Sequence, residues 1–518
     1  MKELVYHRQL LPAVERSATR IATIDGTFRA TYAEHADRVF RLAHGLSHQL
    51  GVGRTDRFAV MALNSHWYLE LYHAAFLGAG IVNPLNLRLA PAELTYILRD
   101  SGTTVCFVDA TFAPVIDAVR AEAGIETVVL VGDGDVPHDI TIESLIAAGE
   151  PDVPEEPEED DPVILMYTGG TTGLPKGVLL DQRAEMLNLY HVAQMWEFDE
   201  NFVFLHQTPM FHAASMGGIL GIPSAGATST FVPVFDPGAV LDAIERDQVT
   251  MTVMVPTMVG MLMAHPEFRP ERLASLDILT YGASPMPAAL LDRLLETMPD
   301  LGIYQGYGMT ESSAVLTALG PEDHRAGGER LRSAGRALYG VVLSIQDADA
   351  NVLPTGETGE VCARGGNFMR EYWNNPEATE EAFHGGWYHT GDAGFLDEHG
   401  YLFLVDRVKD MIVTGGENVY SVEVENAIAA HPAVAQVAVI GIPHDVWGEA
   451  VHAVIVTRDG MDVTEVEIIE HARPKIAGYK LPKSVEIRTE PLPLSGAMKV
   501  LKRELRKQYW GDAERGVN

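Results

Sequence analysis

Residues 167–177 read YTGGTTGLPKG and follow directly on the apolar run VILM. A strand running into a glycine- and threonine-rich loop is a common way to wrap phosphates. Glycines let the backbone come close, amide N–H groups and threonine hydroxyls donate to phosphate oxygens, and Lys176 supplies positive charge. The spacing is not that of the nucleotide-binding pattern G-x-x-x-x-G-K-[ST]. Leu174 and Pro175 separate Gly173 from Lys176, and glycine rather than serine or threonine follows the lysine. A phosphotransferase is therefore the weakest reading.

Further motifs follow in order: PMFH at 209–212, YGASP at 281–285, YQGYGMTE at 304–311, YHTGD at 388–392, DRVKD at 406–410 and LSGAMKVLKREL at 494–505. Together with the loop at 167–177, this set resembles the adenylate-forming (AMP-binding) superfamily, which contains acyl-CoA synthetases, non-ribosomal peptide adenylation domains and beetle luciferases. The resemblance spans nearly the whole chain. It implies a carboxylate attacking the α-phosphate of ATP, with Mg²⁺ as cofactor and ATP and CoA as substrates. Both reacting groups are anions, and two unit charges ~4 Å apart repel by about 4 kcal/mol at an effective dielectric of 20, so cations are essential. The nucleophile is already ionised, so this half-reaction needs no general base.

The resemblance also implies residue roles. Thr168 and Glu311 hold the metal, a sparse oxygen set of the kind Mg²⁺ accepts alongside phosphate and water. Gly169, Gly170, Thr171, Thr172, Gly173 and Lys176 cradle the phosphates. Gly282, Ala283, Gln305, Gly306, Gly308 and Thr310 line the nucleotide pocket, where the Tyr307 ring lies against adenine. Asp392, acceptor-only when ionised, takes both ribose hydroxyls, and Arg407 makes a second ribose contact. Lys499 reaches the α-phosphate and the carboxylate. Two positions depart from the family pattern: Met498 stands where relatives have glycine before this lysine, and Gly169 replaces a serine. A glycine before the lysine would permit a backbone angle that methionine resists.

In the second half-reaction a thiol displaces AMP. The resemblance implies that the C-terminal lobe swings about a hinge at Lys409, withdrawing Lys499 and bringing up a loop containing Gly415, Gly416 and Glu417. The sequence GGEN there favours CoA over a carrier protein, with Trp447 and Tyr479 placed to stack on its adenine and Lys480 or Lys483 to meet its phosphates. His212 would sit where the acyl chain joins the carboxyl group, beside Phe211 and Met216, with Met210, Met254 and Met258 as soft apolar walls. Asp236 lies outside the motif that binds the α-amine in amino-acid adenylation domains.

These residues need a scaffold. Residues 1–150 alternate strand-like runs (57–63, 104–109) with helical periods (67–77), predicting a mostly parallel sheet covered by helices. Residues 1–22 read as an amphipathic helix without the core of a signal peptide. The acidic stretch PDVPEEPEEDDP at 151–162 reads as a solvated linker. The β/α alternation resumes from 163 to about 319, then short strands and glycine turns suit a small antiparallel barrel or sheet. After Arg407 the pattern reads β-α-β-β-α-β. The expected fold is α/β: doubly wound, mostly parallel sheets with a small β-barrel over residues 1–405, and a mobile α+β lobe over 406–518.

The chain has 518 residues, 38 Lys+Arg and 72 Asp+Glu, for a formal charge of −34. Phosphate backbones and anionic membranes both select for a basic surplus, so nucleic-acid and membrane-surface partners are not expected. Cys106 and Cys362 are the two cysteines, too few for a disulfide framework and suited to a reducing cytoplasm. No tract offers the ~20 consecutive apolar residues of a membrane-spanning helix. The expected partners are small molecules, with a homodimer left open. Taken together, the resemblance implies an AMP-forming ligase making acyl-CoA from an apolar acid, with a medium- or long-chain fatty acid first. An aryl or arylalkanoic acid, transfer to a carrier protein, and a non-catalytic nucleotide-binding protein are the alternatives.

Overall fold

The computed structural model describes residues 3–510 except 169–174, 285, 408–409, 415–416, 445–446, 459, 497 and 499, and the side chains of 406, 407, 417 and 418. Among the described residues no helix is long and apolar enough to cross a membrane.

The first large sheet is built on Arg57–Met61, Ile81–Pro84, Val105–Asp109 and Thr127–Val131, all parallel. Their nearly unbroken apolar sequences (RFAVM, VCFVD, TVVLV) fit strands covered on both faces. Helices Pro91–Ser101 and Ala113–Ala123 connect them, each with a proline near its start and a left-handed glycine, Gly102 or Gly124, just past its end. Toward one edge lies an antiparallel hairpin, Pro162–Thr168 with Lys176–Asp181, in which Thr168 pairs with Lys176, and the short strand Glu371–Tyr372 pairs outside it.

The second sheet carries the parallel strands Val203–His206, Thr228–Phe231, Met251–Met254, Ile278–Gly282 and Gly302–Tyr307. Its far edge is Ile21–Asp25 paired with Phe28–Thr31. This corrects two expectations. The first helix spans only His7–Ser17, and residues 21–31 belong to the second sheet rather than to the one formed by the rest of residues 1–150. Ala22 is buried against the second sheet, so the apolar period there serves a strand. Helix His66–Phe76 lies between the two sheets with all but Trp67 buried, which explains its apolar character all round.

The acidic stretch at 151–162 is not a free linker. Arg8 pairs with Glu156, Arg54 with Asp161, and Arg183 with Glu159, whose carboxylate also accepts the N–H groups of Glu3 and Leu4. Counter-charges from three elements fix it to the body.

Helix Gln182–Trp196 follows the hairpin, its N-terminus capped by Asp181 accepting from the Ala184 N–H. Its Glu185 is buried, and burial pushes that carboxyl up to about 8, so the folded protein holds it neutral at pH 7. Because the folded value exceeds the ordinary one, Glu185 stabilises fully at acid pH and this contribution is lost as pH rises through about 8. Glu185→Gln is expected to flatten the fall in Tm between about pH 5 and pH 8. An unchanged slope would place the pH dependence elsewhere.

Next come four antiparallel strands, Val342–Gln346, Gly359–Arg364, Tyr388–Leu396 and Leu402–Arg407, in that order, an open sheet rather than a closed barrel. The strand ending at Arg407 reaches the expected start of the C-terminal lobe, and Lys409, the expected hinge, lies outside the described residues. The lobe is centred on the long antiparallel pair Val434–His444 and Gly448–Thr457. Helices Ser421–Ala429 and Glu465–Ala472 bury Val424, Ile428 and Ile468 against that sheet. Strand Ser484–Arg488 adds in parallel, and helix Lys502–Trp510 ends the described chain.

Candidate active site

A cleft between the large part and the lobe gathers the expected residues at its walls. Thr168 and Lys176 face it from the closing pair of the hairpin, so the glycine-rich loop turns back into a strand instead of opening a helix. Gly169, Gly170, Thr171, Thr172 and Gly173 lie outside the described residues.

Glu311 sits in the short turn Thr310–Ser312, followed by Ser313 and Ala314 with φ of 52° and 90°. Non-glycine residues rarely adopt such angles, and strain of this kind persists only where surrounding contacts impose it. Here the Met369 N–H donates to the Glu311 carbonyl and the Asn367 amide to that of Ser312. Tyr372 was missed in the sequence. Its hydroxyl donates to Glu311 Oε1 at 2.9 Å, and the Lys176 ammonium lies 4.8 Å from its ring centroid. Burial, reinforced by the Glu311 charge, raises the Tyr372 hydroxyl above its ordinary value and keeps it a donor. One ring thus holds both the expected metal carboxylate and the expected phosphate lysine. Glu311 and Thr168 offer only oxygen donors, a set that suits Mg²⁺, which would offset charge on the phosphates. Tyr372→Phe is expected to raise the KM for MgATP and to cut kcat/KM for adenylation at least about tenfold, the scale of a hydrogen bond to a charged group. Pyrophosphate exchange checks it. An unshifted Mg²⁺ dependence would leave Tyr372 a packing residue.

The expected nucleotide pocket lies at the ends of Ile278–Gly282 and Gly302–Tyr307, the exit of a parallel sheet where ligands usually bind. Gly282 and Gly306 are register partners, and a Cβ on Gly282 would sit 2.4 Å from the Gly306 carbonyl oxygen. A Cβ on Gly308 would fall 2.1 Å from that of Ala314. Both glycines are required by close backbone approach. Ala283 is left-handed at φ 66°. Gln305 is oriented by the Tyr281 hydroxyl, and the Tyr307 hydroxyl donates to Asp392 Oδ2 at 2.8 Å, joining the expected adenine and ribose contacts. Asp392 is only 6% exposed, with its turn held by Thr390 and Glu360. In the ladder it stands opposite Arg407.

At the other end Phe211, His212 and Met254 line the cleft, while Met216 does not: it is wholly buried in the core, as are Met210 and Met258. The apolar wall comes instead from Val192, Met195 and Trp196 of the helix after the hairpin, and from Gly217. The Trp196 indole donates to Thr280 Oγ1 at 2.9 Å, and a Cβ on Gly217 would lie 2.8 Å from its ring. The periodicity of 182–196 shows an amphipathic helix but not which turn meets the ligand. The His212 ring caps the turn Ala213–Ser215 by accepting from the Ala214 N–H. Asp236 is the N-cap of Pro237–Asp247.

The lobe is docked through its last loop. Arg88 donates to the Leu494 and Ser495 carbonyls at 3.1 Å each, and the Thr257 hydroxyl to the Met498 carbonyl. Leu494 bridges to Val500, making residues 494–500 a narrow tip aimed at the cleft. Met498 is left-handed at φ 61°, the angle for which glycine is suited, and its side chain packs on the core beside the nucleotide pocket. Lys499 lies outside the described residues, as do Gly415 and Gly416, while the Glu417 side chain is not described. Trp447 and Tyr479 are 39% and 43% exposed. Trp447 stacks on His444 under the Lys483 ammonium, and Lys480 is paired with Glu423.

The family model for AMP-binding enzymes matches residues 11–373, and that for their C-terminal domain matches 423–499. A feruloyl-CoA synthase from an Amycolatopsis species is 39% identical over 481 residues, covering 92% of this chain and 94% of that one. The long-chain-fatty-acid–CoA ligase FadD13 of Mycobacterium tuberculosis is 37% identical, covering 93% of each. ATP-bound MatB from Rhodopseudomonas palustris superposes with a TM-score of 0.89 at 29% identity, covering 99% of this chain and all of that one. The apo form of MatB scores 0.78, so the arrangement of parts here is nearer the ATP-bound form. Motifs, sheet topology and the docked tip agree with these matches: the chain belongs to the AMP-binding, adenylate-forming enzymes, in their acyl-CoA ligase branch.

Proposed function

We propose that this chain activates a compact apolar carboxylic acid, an aryl or arylalkanoic acid, as its adenylate and passes the acyl group to CoA. The observation that carries the reading is the pinned Trp196 indole at the apolar end of a cleft whose other end holds Thr168, Lys176, Glu311 and Asp392. An indole fixed by Thr280 and pressed against Gly217 limits depth and offers a flat face to a ring. The feruloyl-CoA synthase relative supports this reading.

In this mechanism Asp392 and Tyr307 hold the nucleoside, and Lys176 and Lys499 offset phosphate charge. His212 and Phe211 close the site around the carboxyl group and keep water from the adenylate. The lobe then swings about Lys409, and CoA enters past Gly415 and Gly416.

A medium- or long-chain fatty acid is the second reading, favoured by the adaptable Met195 and Met254 walls and by the FadD13 relative. Pyrophosphate release with CoA, profiled over C2–C18 and aryl acids, decides between them. A kcat/KM peak among aryl acids is expected, and a peak at C12 or longer would overturn the ring-binding reading. The same assay with a holo carrier protein in place of CoA should be silent.

A further inference from the structure

On the strand pair Gly359–Arg364 and Tyr388–Leu396, Cys362 stands directly across from His389, and Glu360 projects from the same face two residues earlier. The register shifts just beyond, at the turn that carries Asp392. The Glu360, Cys362 and His389 ligand atoms all lie within 4.8 Å of one another. His389 Nδ1 is 2.8 Å from Glu360 Oε2 and 3.5 Å from Cys362 Sγ.

One ring nitrogen therefore faces both the carboxylate and the sulfur. A catalytic Cys–His–Glu relay would need the two imidazole nitrogens to face different partners, and this geometry excludes it. The other nitrogen, Nε2, faces the His384 carbonyl at 3.3 Å. Nδ1 and Glu360 Oε2 are joined either by a proton on Nδ1 or by a cation that both atoms ligate. The three ligand atoms can close on a cation with small side-chain shifts, and a backbone carbonyl on the far nitrogen is the usual support for a metal-bound histidine.

We propose that Glu360, Cys362 and His389 form a site for a borderline-soft divalent cation of the zinc type. Mixed oxygen, sulfur and nitrogen donors select such an ion over Mg²⁺. Binding releases the Cys362 thiol proton to solvent, and the charges of thiolate, carboxylate and ion then cancel. Glu360 Oε1 keeps the Gly391 N–H it accepts at 3.0 Å, so the ion stiffens the turn that presents Asp392. A fourth position opens to the cleft, which Glu360 and His389 line.

Cobalt titration of the EDTA-stripped full-length protein tests this. One Co²⁺ per chain is expected, with a sulfur-to-cobalt charge-transfer band that Zn²⁺ abolishes by competition. Cys362→Ser should remove the band, and His389→Gln and Glu360→Gln should each weaken binding at least about tenfold. Zn²⁺ should raise Tm in the parent protein and not in Cys362→Ser. Absence of a band at micromolar Co²⁺ would overturn the proposal, with Nδ1 then simply protonated toward Glu360. So would a band that survives Cys362→Ser, which would assign the metal to Cys106, or undiminished affinity in both His389→Gln and Glu360→Gln.

Discussion

Gly496→Ala is expected to reduce acid-dependent ATP–pyrophosphate exchange about 100-fold while leaving thiolation of supplied acyl-adenylate largely intact. In the docked lobe a Cβ at this position would sit 2.2 Å from Asn86 Oδ1, 2.8 Å from its Cγ and 2.9 Å from its Nδ2. Asn86 cannot simply turn aside, because Oδ1 accepts the Arg88 N–H at 3.0 Å and Arg88 clamps the Leu494 and Ser495 carbonyls. Turning it aside breaks that bond in the segment that carries the Arg88 clamp, and leaving it in place pushes the tip off the clamp. Two hydrogen bonds from a guanidinium at ~1.5–3 kcal/mol each set the scale, and losing about one of them accounts for the expected factor. Because the clash exists only when the lobe is docked, the undocked states and the stability of both parts should be nearly unaffected. Asn86→Ala in the same chain removes the obstructing atoms, so the double variant should regain more activity than independent effects allow. Full exchange in Gly496→Ala alone would mean that the docked arrangement is not the one that forms the adenylate.

Why the contacts that dock the lobe escaped a reading of the sequence, while the glycines of residues 281–283 and 304–308 did not, follows from how each is built. Residues 281–283 and 304–308 lie on adjacent strands, and the glycines that the neighbouring backbone requires belong to the motifs that carry the family resemblance. The elements around them were legible as well: strands buried on both faces read as apolar runs, and capped helices carry proline and glycine at their ends. Tyr372 gave no such signal. It reaches Glu311 because a two-residue strand, Glu371–Tyr372, pairs with Val178 and Leu179 almost two hundred positions earlier. Arg88 meets its carbonyl partners across an interval of 406 positions. Trp196 belongs to a helix whose period is satisfied whether or not that turn faces a ligand. Met216 failed in the opposite direction, since an apolar residue near the site is equally at home in the core beneath it. Met498 lies between these cases: the sequence marks it as the wrong residue type, and the left-handed φ shows what glycine would have served.

Lys499→Ala is expected to lower adenylate formation by 10²–10³-fold, about 2.7–4 kcal/mol, the range for removing a donor aimed at developing transition-state charge. Lys499 lies outside the described residues; its neighbours Met498 and Val500 line the cleft and are held by Thr257 and Leu494. On the proposed mechanism the lobe swings this lysine away before sulfur arrives, so thiolation of supplied acyl-adenylate should persist. This variant and Gly496→Ala remove the same half-reaction by different means. One deletes the charge from a lobe that still docks, and the other keeps the charge on a lobe that cannot. Their kinetics should differ accordingly: Lys499→Ala should bind ATP with near-normal affinity and fail in kcat, whereas Gly496→Ala should also lose the affinity contributed by closure. Equal loss of both half-reactions in Lys499→Ala would remove the basis for a swinging lobe, since a residue needed throughout cannot be one that withdraws.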